Sequence, residues 1–175
     1  MRENIGAGAA LALVAAGTVL LGEMLGLELT SVALLGVALG GAVGLVPDRS
    51  HTERVLGFVA GLLVAWAGYG ARAGVLPDSD LGRAVALAGV VLAVTVVTVV
   101  SAGRLPLWSL LTGVAALAGA YEFTFTANTP LFTTESVSAV TAVLLAAAVG
   151  TVATGLTVGR DASDRSDHRA QEVAR

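Results

Sequence analysis

Six runs of 17 to 24 residues in this chain contain no charged side chain: 4–22, 29–47, 55–71, 84–103, 105–121 and 136–159. A helix rises about 1.5 Å per residue, so about 20 apolar residues cross the ~30 Å hydrocarbon core of a bilayer. A charged group at the bilayer centre costs about 2.5–3.5 kcal/mol on insertion scales, so charges mark the limits of spans. The four prolines, at positions 47, 77, 106 and 130, lie at or beyond the run ends, where a missing N–H does no harm. The pattern predicts an all-α polytopic membrane protein. Its six transmembrane helices cover about 4–22, 29–47, 54–71, 82–103, 105–121 and 135–159, paired as three hairpins. A charged, mobile cytoplasmic tail is expected over 160–175.

Composition agrees. Charged residues make up 13% of the chain and hydrophobic ones 55%, with a mean hydropathy of +0.83, whereas a soluble domain carries roughly 25% charged residues. The absence of cysteine rules out disulfides, thiolate metal sites and cysteine nucleophiles. A net charge of −3 offers no basic patch for phosphates, which argues against nucleic acid as a partner. All ten basic residues are arginine, and this bias resembles membrane proteins of GC-rich prokaryotes.

Arg2 followed by Ile5–Leu21 also fits the charged and apolar regions of a signal peptide. No small-residue cleavage site follows, since the chain there reads Gly22-Glu23-Met24, and a retained first helix is expected. With the N-terminus inside, Arg2, Arg49, Arg54, Arg104, Arg160, Arg165, Arg169 and Arg175 fall on the inner side, and Arg72 and Arg83 outside. Positive flanks are held in the cytoplasm, so both termini are expected there, in a multi-pass protein of the cell membrane.

The connections carry their own signals. Ser50 and Glu53, after Pro47, have the spacing of a capping box, and His51 between them reads as a solvated turn residue. Ser79 or Asp80 is the expected cap of the fourth helix. Trp66, Tyr69, Trp108 and Tyr121 lie near helix ends, as an interfacial aromatic belt requires. Residues 122–135 form the longest expected connection, an interfacial loop bearing Phe123, Phe125 and Phe132.

Two features bear on function. Thr95, Thr98 and Ser101 precede Arg104, and Thr151, Thr154 and Thr157 precede Arg160, each set at three-residue spacing that keeps the hydroxyls near one helix face. The ten-residue windows ending at the two arginines are identical at five positions. If the hairpins share one plan, the even-numbered helices bring these faces to a common axis, as a polar path or as packing through bonds to their own backbone. Gly36, Gly40 and Gly44, with Gly57 and Gly61, mark close helix approach, within the chain or to a second protomer.

No run holds an internal Asp, Glu, His, Lys or Arg, so proton relays and ion pumps lack their usual groups. No phosphate loop is present. The expectation is a non-enzymatic bundle without cofactor or metal, embedded in lipid. It would act as a structural or accessory subunit packing with itself or with another membrane protein. A small transporter or channel for an ion or neutral solute is the alternative.

Overall fold

The computed structural model describes residues 8–9, 12–13, 15–17, 19–20, 30–77, 79–127 and 129–173, the backbone alone at 30–32 and beyond 155. Secondary structure among the described residues is helical, without strands: α1 Thr30–Leu45, α2 His51–Gly74, α3 Asp80–Val100, α4 Leu107–Ala127, a 3-10 turn Thr129–Leu131, and α5 Phe132–Val173. Four segments are long and apolar enough to cross a membrane, namely α2, α3, α4 and Thr129–Gly155. With the shorter apolar helix α1, the chain is compatible with an integral membrane protein. Most of the expected first helix, 4–22, lies outside the described residues.

Local chemistry sets the helix ends. Chain direction turns after α1 at Pro47, which disfavours helix in the residue before it. The last carbonyls of α1 are orphans by geometry. Arg54 satisfies them: its Nη1 donates to the oxygens of Val43 (2.8 Å) and Gly44 (3.2 Å) and to that of Val46. The expected capping box opens α2, with Glu53 N–H on Ser50 Oγ (3.3 Å) and Ser50 N–H on Glu53 Oε2 (3.2 Å). Ser79, of the two candidates, caps α3 through Gly82 N–H (3.2 Å). Helix α3 stops three residues before the expected 103, because Ala102 (φ 52°) and Gly103 (φ 72°) turn into the left-handed region and their N–H groups bond back to Val99 and Thr98.

The largest departure lies at residues 122–135. Six of the residues expected in a loop extend α4 to Ala127, and α5 already begins at Phe132. Phe125 and Phe132 turn inward onto Tyr121, and only Phe123 points away, at 87% exposed. Burial of two aromatic rings against a third favours continued helix over an open loop. At the other end, the helical backbone of α5 continues to Val173.

Packing follows glycine rather than chain order. The two most extensive contacts are α1 with α5 and α2 with α4; α3 lies outside, against α2 and α4. Of the even-numbered helices expected to converge on one axis, those at 29–47 and 135–159 do meet, as α1 and α5, whereas the one at 82–103, α3, stays apart from both. Between lipid-embedded helices apolar burial gives little net drive, so close van der Waals approach decides which faces meet. In the α1–α5 seam a Cβ at Gly40 would strike the Ala147 carbonyl, and one at Gly150 would strike that of Val37. The α2–α4 seam repeats this reciprocity, with Gly61 against Leu110 and Gly113 against Phe58. Helix α3 has Gly68 of α2 close to Val90, but Gly89 touches nothing, and only 11% of its apolar window is buried.

Candidate functional site

The charged residues of the bundle gather at its two ends. One end carries the α1–α2 and α3–α4 turns, tied together by Trp108, whose indole N–H donates to Asp48 Oδ2 (2.6 Å). Ser109, fully buried, donates to the backbone carbonyl of Arg54 and so anchors the capped α1–α2 corner to α4. We call this the Arg49 rim.

At the opposite Arg72 rim, Arg72 Nη1 contacts both oxygens of Glu122 (3.0 and 2.9 Å), and Tyr69 Oη donates to Oε2 (2.6 Å). The guanidinium lies over Phe125, 4.6 Å from its centroid, and 5.5 Å from that of Tyr69. Cation–π attraction and the carboxylate together compensate a side chain that is only 11% exposed. Trp66 stacks on Phe132 and donates from Nε1 to Ser136 Oγ (3.0 Å), linking α2 to α5. The result is a closed clasp joining three helices, with its charge neutralised internally. Its members appeared in the sequence only as span boundaries and belt aromatics. The pairing itself had one signal, opposite charges at the ends of the third and fifth uncharged runs.

The candidate path residues are not brought together. Thr95 is exposed on α3 and donates to Val91 O (2.8 Å); Thr98 donates to Val94 O (3.1 Å) and Ser101 to Thr98 O (2.9 Å). Thr151 and Thr154 are buried in the α1–α5 seam. Thr151 donates to Ala147 O (2.7 Å) and lies 3.0 Å from Gly40 O, while Thr154 bonds Gly150 O and Thr151 O (both 3.1 Å). The side chain of Thr157 lies outside the described residues. Hydroxyls engaged with backbone carbonyls are spent as packing elements. The five candidate packing glycines all face another helix of the same chain: Gly36, Gly40 and Gly44 meet α5, and Gly57 and Gly61 meet α4. Their reciprocal partners Gly113 and Gly150 escaped the sequence reading. The small-residue spacings Ser109–Gly113 and Ala146–Gly150 could have revealed them.

No family model, curated protein or solved structure matches this chain.

The surface of the bundle also has concave features, one of them largely apolar. A crevice of about 510 Å³ opens near the Arg49 rim between α2 and α5. Leu56 and Val59 of α2 and Leu144, Ala148 and Val152 of α5 form its walls above Phe58, with His51 and Thr52 at the rim end. Among the described residues, no three His, Asp or Glu side chains gather to hold a metal ion.

Proposed function

We propose that this chain is a multi-pass protein of the cell membrane, non-enzymatic, serving as a structural or accessory subunit that packs with itself or with another membrane protein. The observation that carries the reading is the state of Thr151 and Thr154. Both are buried between α1 and α5 with their hydroxyls on carbonyls of those helices, which supports packing over a polar path at that seam. Among the described residues α3 offers a surface for a partner, with Leu87 and Leu92 64% and 65% exposed. The six-span arrangement with both termini cytoplasmic is part of the proposal. Arg49 and Arg104 share one rim, and Arg72 and Arg83 flank the turn at the other, in keeping with the bias toward a positive inner side.

Purified protein in liposomes, screened with ions and small neutral solutes, tests it. No flux above empty liposomes is expected, together with a cross-linked dimer or a captured membrane subunit when α3 carries a photoreactive residue at Leu92. Uptake that disappears on combining Thr98→Val with Thr154→Val would overturn the reading in favour of transport.

A further inference from the structure

The crevice between α2 and α5 differs from the open face of α3 in being concave and in having one polar end. Its volume falls within the roughly 300–1,000 Å³ of ligand pockets. Residues 144–152 of α5 run along it for about 12 Å. Inside, the walls offer no free polar atom: Thr151 lines the crevice, but its hydroxyl is occupied by Ala147 O and Gly40 O. At the rim the situation reverses. Asp48 is taken by Trp108, Ser50 and Glu53 by the capping box, and Arg54 by the end of α1. His51 and Thr52 are exposed, and neither side chain makes a hydrogen bond to another described residue. An apolar trough with unengaged donors at one end matches an amphiphile, with its tail along the trough and its head at the rim.

We propose that the crevice is a binding site for one acyl chain of a membrane phospholipid, whose headgroup is met by His51 and Thr52. The inference rests on the membrane-embedded reading above. Bilayer lipid reaches this surface laterally, since Leu56 and Val152 on its two walls are both exposed.

Photolabelling of the full chain in liposomes, with a phospholipid bearing a mid-chain diazirine, tests the proposal. Label should concentrate several-fold on Leu144, Ala148 and Val152 over Leu87 and Leu92 of α3. Ala148→Phe, which fills the trough, should reduce it to the α3 level. The pair His51→Ala with Thr52→Val should weaken it without filling anything, and this serves if the first variant does not fold. Equal labelling of crevice and α3 overturns the site while leaving the membrane reading intact. A crevice that instead cross-links to a second chain or to residues 4–22 also overturns it. Absence of label from α3 as well as the crevice would count against the membrane reading itself.

Discussion

Tyr69 and Tyr121 meet edge to face, 5.3 Å between centroids, yet their hydroxyls have opposite fates. That of Tyr69 donates to Glu122, whereas that of Tyr121 is buried without a partner among the described residues. Removing a made bond to a carboxylate costs, while removing an orphaned buried hydroxyl relieves a desolvation penalty. Tyr69→Phe should therefore lower stability by about 1–2 kcal/mol in detergent, and Tyr121→Phe should leave it unchanged or raise it by up to about 1 kcal/mol. Thermal unfolding followed by circular dichroism separates the two. Arg54 presents a larger version of the same asymmetry. Its loss strands three helix-terminal carbonyls at once, so Arg54→Ala should cost roughly 2–4 kcal/mol. In the same assay, Arg104→Ala, at an exposed position on the same rim, should change little.

Between elements, the seams depend on the absence of a Cβ. Gly61→Ala would drive a methyl into the Leu110 backbone, which cannot yield as a flexible side chain could. A loss of about 1–3 kcal/mol is expected, against none for Gly89→Ala on the open face of α3. Comparing the unfolding midpoints of the two variants checks this. The glycine positions were legible in the sequence because small residues at four-residue spacing have few other uses in an apolar helix. Which helices they join was not. Gly36, Gly40 and Gly44 sit next in sequence to α2 but pack against α5, since seam partners are chosen by the reciprocal glycine, Gly150, and not by chain proximity. The capping box at Ser50 and Glu53 was readable for the opposite reason: all its atoms lie within four residues. The helical stretch 122–127 was misread because its support is tertiary, through Phe125 on Tyr69 and Tyr121 and Glu122 on Arg72.

For the molecule as a whole, the central claim is that lipid surrounds its middle and water meets only its rims. Leu92 is 65% exposed at mid-helix of α3, so an aqueous reagent would reach it readily if water bathed that face. Because the chain contains no cysteine, single substitutions report without background. The decisive measurement is labelling of Leu92→Cys, Arg83→Cys and Arg104→Cys in sealed vesicles with a membrane-impermeant maleimide. A lipid-embedded bundle requires Leu92→Cys to stay unlabelled until the vesicles are dissolved and the protein unfolded. Arg83→Cys and Arg104→Cys should react from opposite faces of the membrane. Rapid labelling of Leu92→Cys in intact vesicles, or reaction of both rim positions from one face, would contradict it.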